Sequence, residues 1–453
     1  MRVESLAQLR HCLLDASAGK QLILAAGVHE VDRTLQITCN DLHLAGELAG
    51  GCTQTILRRG KLGDGTLFAG PLVKGEGASG LVVRNLIING SRFEETPQGL
   101  VDRRHPLTQA KESPLFTCAH ACAPPLAYQP ENFHTPFETD LLFLASSRIT
   151  IQDVSFHNPI KFGIGLGDGT RQAILDTLHI VNGGDGGIWC GLVSLTTRLP
   201  LPLPNAIAQK RPQEISIRNC LIENCGASGI YLEAARVKID SCTLRGNHGG
   251  FPFNHDGGQL EIDYKSEDIA VQECSILNAP SLARTIMTYN PIENAWEPRS
   301  QILRTVGIEA FGGKLRFFNN RIERNSHEGI HFNGASQVWI AGTKTQIRAN
   351  HTAHSLFPVL GPDPQQNISI TMQAGYRDLN AVARGFLIEG IQCENGIMFW
   401  SDGSVPDLTV DEVTIRDCNL RGSAGSGVVI GKNAAGGSIE GRGWQIKGNR
   451  RTG

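Results

Sequence analysis

Apolar and polar residues alternate along many short segments of this chain, and the alternation returns at intervals of a little over twenty residues. The clearest two copies lie within residues 214–250. Three apolar positions there reappear 22 residues later: Ile217, Cys220 and Ile222, then Ile239, Cys242 and Leu244. Alternation with a period of two predicts β-strands rather than helices. Its recurrence at a regular interval predicts a stacked repeat architecture.

The same positions stay in phase through seven copies of the pattern. With the position of Cys220 numbered zero, apolar residues fill −3, 0 and +2, apart from one asparagine at zero. The copies are Ile151/Val154/Phe156, Leu175/Leu178/Ile180, Ile217/Cys220/Ile222, Ile239/Cys242/Leu244, Val271/Cys274/Ile276, Phe317/Asn320/Ile322 and Ile415/Cys418/Leu420. Glycine recurs at +9 and asparagine at +4: Gly163, Gly187, Gly229, Gly329 and Gly427; Asn158, Asn182, Asn224 and Asn278. One coil of this size cannot bury its own apolar face, so the coils must stack and share a core.

This repeat resembles the right-handed parallel β-helix of the pectin-lyase-like superfamily. The resemblance covers roughly residues 20–450 and rests on the repeat pattern, not on a catalytic motif. It implies an all-β fold, a right-handed parallel β-helix solenoid. It implies little about function, because one fold hosts many chemistries. The paired aspartates followed by Gly-His-Gly that mark polygalacturonases of this fold are absent, so their roles are not carried over.

We predict a capping helix in residues 1–20, followed by one β-helix domain over residues 21–453. Leu6, Leu9 and Leu13 share one face of that helix, which would cover the open end of the first coil. Segments with little periodicity are predicted to be long insertions, near residues 90–136, 192–213, 256–267, 290–306 and 343–384. Insertions leave a solenoid at its turns and often build one wall of a binding face.

Composition and charge add a few constraints. The 52 glycines suit a fold with several tight turns in each coil. A net charge of −2 and a pI near 6.7 favour neither nucleic acid nor an acidic membrane surface as a partner. The sequence has no apolar run long enough to predict a transmembrane helix, and its first residues lack the layout of a signal peptide. We therefore expect a cytoplasmic protein, with a secreted mature form left open.

The 12 cysteines fall into two kinds of position. Four share the inward zero column, where a free thiol behaves as a small hydrophobe, and we expect them to be buried and reduced: Cys220, Cys242, Cys274 and Cys418. Cys118, His120 and Cys122 form a cluster whose spacing is not one of the usual zinc spacings. An ordinary loop, a metal site and a disulfide all stay open for that cluster. We predict no metal site and no cofactor elsewhere.

The strand after the +9 glycine carries the candidate chemistry. Side chains alternate faces along a strand, so positions +11 and +13 point outward. In the middle coils these positions carry rings, amides, a carboxylate and an imidazole: Trp189, Tyr231, Glu233, Asn254, Tyr289, His331 and Asn333, with Trp400 as an extension. Rings that stack on sugar faces, beside groups that bond hydroxyls, suit a carbohydrate. We therefore expect an open groove along this face.

Glu233 and Asp256 are the candidate catalytic carboxyl groups. Asp256 ends the run Asn254-His255-Asp256, about one coil after Glu233. Carboxyls on neighbouring coils would lie roughly 5–9 Å apart, a range that covers retaining and inverting glycosidases. The ordinary alternative is that Asp256 caps a turn and Glu233 is a solvated surface charge.

Proton abstraction beside a uronate carboxylate is the other chemistry that the outward residues allow. It needs a base, and a cation to neutralise the carboxylate. His331 and Tyr289 are the candidate bases, and His255, Lys265 and Arg284 supply further groups of the right types.

We predict a carbohydrate-active enzyme that cleaves a glycosidic bond, by hydrolysis or elimination, in this groove. Glu233 and Asp256 would act as acid and base or nucleophile, and His331 and Tyr289 as auxiliary or alternative bases. The predicted substrate-binding residues are Trp189, Tyr231, Asn254, His255, Asn333 and Trp400. Two alternatives stay open: a non-catalytic, tailspike-like glycan-binding protein, and an intracellular isomerase or cyclase that holds a small biosynthetic intermediate in a closed pocket. A homo-oligomer also stays open.

Overall fold

The fold is known from a computed structural model. It describes residues 1–15, 17–96, 99–102, 139–192, 205–248, 257–280, 283–290, 295–302, 305–352, 369–374, 382–401, 408–421, 427–430 and 439–450. Among these residues, no helix is long and apolar enough to cross a membrane. The Cys118–Cys122 cluster lies outside the described residues.

Helix α1 (Leu6–Leu14) caps the N-terminal end of the solenoid. The Ser5 hydroxyl accepts a hydrogen bond from the Gln8 backbone N–H at 3.3 Å, as expected of a helix N-cap. Leu9 and Leu13 are buried in the same core as the first strands, while Leu6 packs against its edge. The predicted capping helix is therefore confirmed, over a shorter span than residues 1–20.

The first strands build the opening coils, together with two short antiparallel pairs. In chain order they are β1 (Arg2–Val3), β2 (Gln21–Leu24), β3 (Gly27–Val31), β4 (Leu35–Ile37), β5 (His43–Gly46), β6 (Leu48–Ala49), β7 (Cys52–Thr53), β8 (Thr55–Arg59), β9 (Val73–Glu76), β10 (Val82–Asn89), β11 (Phe93–Thr96) and β12 (Gly99–Asp102). Strands β6–β7 and β11–β12 pair antiparallel, outside the stacked coils.

The central strands carry the most regular coils. They are β13 (Leu141–Leu144), β14 (Ser147–His157), β15 (Phe162–Leu166), β16 (Arg171–Asp176), β17 (His179–Val181), β18 (Gly186–Cys190), β19 (Gln213–Arg218), β20 (Leu221–Glu223), β21 (Ile230–Leu232), β22 (Ala235–Asp240), β23 (Thr243–Arg245), β24 (Gly258–Ile262), β25 (Glu267–Gln272), β26 (Ser275–Leu277), β27 (Ala283–Asn290) and β28 (Ala295–Ile302). A one-turn helix, α2 (Asn205–Ala208), precedes β19.

The remaining strands complete the solenoid. They are β29 (Val306–Ala310), β30 (Gly313–Phe318), β31 (Arg321–Glu323), β32 (Ile330–Asn333), β33 (Ser336–Ala341), β34 (Gln346–Arg348), β35 (Ile370–Ala374), β36 (Val382–Glu389), β37 (Gln392–Glu394), β38 (Ile397–Ser401), β39 (Leu408–Arg416), β40 (Asn419–Arg421), β41 (Val428–Ile430), β42 (Ile439–Arg442) and β43 (Gln445–Lys447).

Two parallel sheets wrap around the core. Within the described ranges, 12 strands form what we call the narrow sheet, in the order β4-β9-β13-β15-β18-β21-β24-β29-β32-β35-β38-β41. Twenty-five strands form the wide sheet, to which a typical coil contributes two strands. There, for example, β19 and β20 pair in parallel with β22 and β23 of the next coil. This arrangement confirms the predicted all-β parallel solenoid.

Strand register confirms the predicted inward columns. Residues at position −3 are direct partners on successive strands of the wide sheet: Leu175, Ile217, Ile239, Val271 and Phe317. The side chains of this column are buried, with at most 2% of their surface exposed. The four cysteines of the zero column are also buried and form no disulfide, as predicted. Each thiol packs as a small apolar group and donates weakly to a backbone carbonyl.

The left-handed backbone conformation at the corners of each coil explains the asparagines at +4. A coil turns its corners at positions −6, −1 and +4, where φ is positive; in one coil these are Glu214, Asn219 and Asn224, with φ of 59°, 54° and 57°. Asparagine tolerates this conformation better than most residues with a side chain. The recurring asparagine is therefore a corner residue of the backbone, not a ligand.

Two of the predicted insertions contain strands of the solenoid itself. Residues 256–267 include β24, and residues 343–384 include β34, β35 and the start of β36. By contrast, β27 and β28 pair antiparallel with each other, outside both large sheets. In the narrow sheet, β24 pairs with β29, which follows this hairpin in the chain.

Candidate active site

The outward face of the narrow sheet carries a continuous polar row. Residues at +11 are direct partners on seven neighbouring strands: Trp189, Tyr231, Glu261, Glu309, His331, Thr371 and Met398. A second row lies two residues later in each coil, at position +13. It consists of Gly191, Glu233, Asp263, Phe311, Asn333, Gln373 and Trp400. At about 4.8 Å per strand, the row from Tyr231 to His331 spans about 14 Å.

This face is covered in the middle coils. The exposed fraction of the residue is 3% for Trp189, 6% for Tyr231, 7% for Glu233 and 1% for Glu261. A side chain that points away from a solenoid is buried only where other parts of the chain lie over it. The sequence predicted exposed rings along an open groove, whereas the structure encloses these groups.

Five of the enclosed side chains form what we call the lysine–carboxylate cluster: Tyr231, Glu233, Glu261, Asp263 and Lys265. The Tyr231 hydroxyl lies 3.1 Å from Glu233 Oε1 and 3.2 Å from Asp263 Oδ2, and its one proton is donated to either. The Lys265 ammonium donates to Glu233 Oε1 and lies 3.9 Å from Asp263 Oδ1. One cation therefore faces two carboxyl groups, which directly follow two neighbouring strands, β21 and β24.

Burial and neighbouring charges shift the pKa values of the two acids, Glu261 and Asp263, and of Lys265. Burial raises the pKa of Asp263 to about 7, although the charge of Lys265 acts in the opposite direction. It also raises the pKa of Glu261 to about 7, against a 2.8 Å hydrogen bond from the Ser228 hydroxyl. Burial lowers the pKa of Lys265, but the charges of Glu233 and Asp263 more than offset this and raise it overall. Carboxyl groups that hold protons near neutral pH therefore stand beside a lysine that stays charged.

Tyr231 remains a neutral phenol at this site. Burial, followed by the charges of Asp263 and Glu233, raises its pKa well above its ordinary value. The phenol therefore acts as a hydrogen-bond donor between the two carboxyl groups, not as a base. Glu233 accepts a further hydrogen bond of 3.2 Å from the Leu192 backbone N–H, so three donors surround its carboxyl group: this amide, the Tyr231 hydroxyl and the Lys265 ammonium.

A second polar group continues the row, which we call the histidine–glutamate cluster: Glu309, Glu328, His331, Asn333 and Thr371. The Asn333 amide donates to Glu309 Oε1 at 2.9 Å, so its oxygen faces His331 Nε2, also at 2.9 Å. The other ring nitrogen of His331 lies 3.4 Å from Glu328 Oε1, which also accepts from the Thr371 hydroxyl at 3.1 Å. Both ring nitrogens of His331 thus face oxygen atoms of neighbouring side chains.

Comparison with known proteins decides the family. The sequence profile described as "right handed beta helix region" matches residues 130–276 and 202–453. The chain belongs to the right-handed β-helix family. This agrees with the resemblance inferred from the repeat. A search of curated proteins finds no match.

Solved structures similar to this β-helix include enzymes and an adhesin. A mannuronan C-5 epimerase module from Azotobacter vinelandii shares 12% identity, with 99% of this chain and 95% of that chain covered and a TM-score of 0.45. An endopolygalacturonase from Stereum purpureum shares 10% identity over 100% and 99% of the two chains, with a TM-score of 0.45. A surface adhesin of Streptococcus pneumoniae shares 8% identity over 99% and 88%, with a TM-score of 0.37. Similarity at this level supports no conclusion about the activity of this chain.

Several predicted site residues do lie on the outward face of the β-helix. Trp189, Tyr231, Glu233, His331 and Asn333 occupy the strands and registers assigned to them. Trp400 also stands where it was predicted, on β38 opposite Gln373. The structure brings Tyr231 and Glu233 into one cluster and His331 and Asn333 into the other.

Two other assignments were wrong. Tyr289 lies in the β27–β28 hairpin, opposite Trp296, and not on the narrow sheet. The strand after β21 was assigned to residues near Asn254, but β24 fills that place and presents Glu261 opposite Tyr231. Asn254, His255 and Asp256 themselves lie outside the described residues.

The sequence analysis missed Glu261 and Asp263. Their signal is present in the run Gln-Leu-Glu-Ile-Asp, where Leu260 and Ile262 are inward and the acids alternate with them. The run was taken for an insertion because the Phe-Pro-Phe segment before it offers a competing alternation. Within the described part of the chain, no group of three or more His, Cys, Asp or Glu side chains is arranged to hold a metal ion.

Proposed function

We propose that this β-helix protein is an enzyme that hydrolyses a glycosidic bond with the lysine–carboxylate cluster. The observation that carries the proposal is the unequal pair formed by Glu233 and Asp263. Both carboxyl groups contact the Tyr231 hydroxyl, but only Glu233 also accepts from the Lys265 ammonium within hydrogen-bond distance, while burial raises the pKa of Asp263 to about 7. Two carboxyl groups whose environments separate their protonation states are the requirement for glycoside hydrolysis.

The spacing of the pair favours a double-displacement mechanism. The two oxygens that contact the Tyr231 hydroxyl are at most about 6 Å apart, which is shorter than the roughly 6.5–9.5 Å between the carboxyl groups of inverting glycosidases. Asp263 donates its proton to the glycosidic oxygen while Glu233 attacks the anomeric carbon. The bond to the leaving sugar breaks, and a glycosyl ester forms on Glu233. Ionised Asp263 then takes a proton from water, whose oxygen attacks the same carbon and releases Glu233.

Neighbouring groups suit the binding of a sugar beside this pair. The Trp189 ring lies on the strand next to Tyr231 and folds back over Gly191, where an added Cβ would stand 2.8 Å from the ring. Glycine at this position therefore leaves room for the ring and for the Glu233 carboxylate. At the other end of the row, His331 and Asn333 present polar groups to a sugar hydroxyl or carboxylate. Because both ring nitrogens of His331 face oxygen atoms, we propose for it a hydrogen-bonding role toward the substrate; its predicted role as an auxiliary base stays a prediction.

The enclosure of the cluster favours a short substrate over a long polymer. A polysaccharide needs an open cleft that admits chain on both sides of the cleaved bond, whereas the cluster residues are between 1% and 7% exposed. We therefore propose an oligosaccharide, or the end of a chain, as substrate.

The test is turnover of a panel of neutral and uronic-acid oligosaccharides, followed by product mass and by ultraviolet absorbance. Hydrolysis adds the mass of water without new absorbance, and Glu233→Gln and Asp263→Asn should each abolish it. Glu412→Gln is the matched control, because Glu412 is an exposed carboxylate paired with Arg384 on the wide sheet. Ultraviolet absorbance from an unsaturated uronate product would show that the enzyme cleaves by elimination and not by hydrolysis. Binding without turnover, tolerant of both cluster substitutions, would indicate a glycan-binding protein.

A second candidate function follows from the same enclosure. A buried acid–base pair with a fixed cation also suits isomerisation or ring closure of a small molecule, because a covered site keeps water away from reactive intermediates. This function predicts a product with the mass of its substrate. It requires the same two carboxyl groups, so the mass of the product separates it from hydrolysis.

A further inference from the structure

A groove with a cavity of about 550 Å³ lies on the outward face of the wide sheet. It crosses four neighbouring strands, β22, β25, β30 and β33, whose outward residues are direct partners in the row Lys238, Ala270, Arg316 and Trp339. Phe318 stands beside this row, opposite Gln272. None of these residues belongs to the two clusters of the narrow sheet.

Two aromatic rings line the groove and are open to solvent. Phe318 is 44% exposed and Trp339 is 43% exposed. Among the described residues they are the large aromatic side chains exposed to this extent, and both line this one groove. The Trp339 indole N–H donates to Glu389 Oε1 at 3.1 Å, which holds the ring in place. Ala270 is small and leaves space between the rings and the cations of β22.

The charged groups of the groove are matched in pairs. Lys238 pairs with Asp240 at 2.8 Å, and Arg316 pairs with Asp268. Arg236, the third cation of the lining, pairs with a glutamate at 3.0 Å on the preceding strand. The lining itself holds these three cations and Asp268, and the partners Asp240 and Glu214 flank it, so the groove together with its rim carries little net charge. It offers hydrogen-bond donors and acceptors side by side. A sugar hydroxyl is both donor and acceptor and uses such pairs, whereas an anion would need unmatched cations.

We propose that this groove is a second, non-catalytic binding site for an uncharged oligosaccharide laid along the solenoid axis. Sugar rings stack on Trp339 and Phe318, and their hydroxyls bond to the ion pairs and to Gln272. The site goes beyond the proposed reaction, since it lies on a different sheet and requires none of the groups that would carry catalysis. It would hold an uncharged glycan to the protein surface, away from the enclosed cluster.

The experiment measures binding of neutral cello-, xylo- and malto-oligosaccharides by calorimetry, with oligogalacturonate as the charged comparison. We expect at least one neutral oligosaccharide to bind to the wild type, and to bind roughly tenfold or more weakly to Trp339→Ala. Its affinity should be the same at low and high salt, because no net charge is screened. Ile174→Ala is the matched control, since Ile174 is 37% exposed on the same face of the wide sheet and lies outside the groove.

Four results would overturn the site: no binding by the neutral panel, equal loss in Ile174→Ala, unchanged binding in Trp339→Ala, or preferential and salt-sensitive binding of oligogalacturonate. Sedimentation velocity tests another occupant, because a dimer that Trp339→Ala converts to monomer would assign the groove to a second copy of the chain. Turnover is measured in parallel. Binding that depends on Trp339 in a protein without turnover would leave this site standing while the proposed reaction fails.

Discussion

The two outward faces of the solenoid use the same residue types in opposite environments. On the wide sheet, Asp240 is paired with an exposed lysine; burial alone would raise its pKa, but hydrogen bonds from Lys238 and Ser241 lower it overall. On the narrow sheet, Asp263 also stands near a lysine, yet burial raises its pKa to about 7. A carboxylate beside a cation is therefore a surface ion pair on one face and a proton-holding acid on the other. The covering of the face makes the difference, not the residue pair.

The proposed difference between the two faces fails if Asp263 has no chemical role. We expect Asp263→Asn to lower kcat by about 10²–10⁴-fold, because the amide cannot supply the proton to the leaving oxygen. The measurement is the initial rate on the best oligosaccharide of the panel. Unfolding of the variant is followed by circular dichroism, and Glu412→Gln serves as the control. A rate within twofold of the wild type would remove Asp263 from the reaction.

Removing the cation on each face compares the two environments directly. Lys265→Met should destabilise the fold by about 3–5 kcal/mol, because it leaves Glu233 and Asp263 buried without a counter-charge. Lys238→Met should cost less than about 1 kcal/mol, because Lys238 is half exposed in a surface pair. The free energy of unfolding in urea measures both. Similar values for the two variants would contradict the contrast between the faces.

The raised pKa of Glu261 predicts how the free energy of unfolding depends on pH. Its pKa is raised from 4.5 to about 7, so between these values the folded protein holds a proton that the unfolded chain has lost. Stability from this group is thus fully present below pH 4.5 and is lost as the pH rises through about 7. In Glu261→Gln, the loss of unfolding free energy between pH 5 and pH 8 should shrink by about 1–3 kcal/mol. The control Ser228→Ala should keep the dependence of stability on pH, because it leaves the Glu261 carboxyl group in place. An unchanged pH profile in Glu261→Gln would contradict the prediction.

The pH dependence of turnover gives the finest test. If Asp263 must be protonated, kcat/KM should fall about tenfold for each pH unit above about 7. In Lys265→Gln this fall should move to higher pH, because the charge of Lys265 lowers the pKa of Asp263. A shift toward lower pH would show that another group supplies the proton.

Much of the fold could be predicted from the sequence, and less of the site. The columns of Ile217, Cys220 and Ile222 repeat because every coil buries the same inward positions, so periodicity alone gave the architecture and the register. The same register placed Glu233 and His331 on the outward face. Tyr289 was misplaced because the strand pattern of a hairpin looks like that of a coil, and only pairing between distant strands separates the two.

The sequence by itself determined the solenoid, the capping helix and the alternation of inward and outward side chains, since these depend on local periodicity and on burial of an apolar face. Only the tertiary structure decided which outward face is enclosed and which stays in water. That decision sets the chemistry, because desolvation depends on everything that lies around a group and not on its neighbours in sequence. In the sequence, Glu261, Asp263 and Lys265 look like an ordinary charged strand end. Their burial in the folded protein makes them an acid–base cluster.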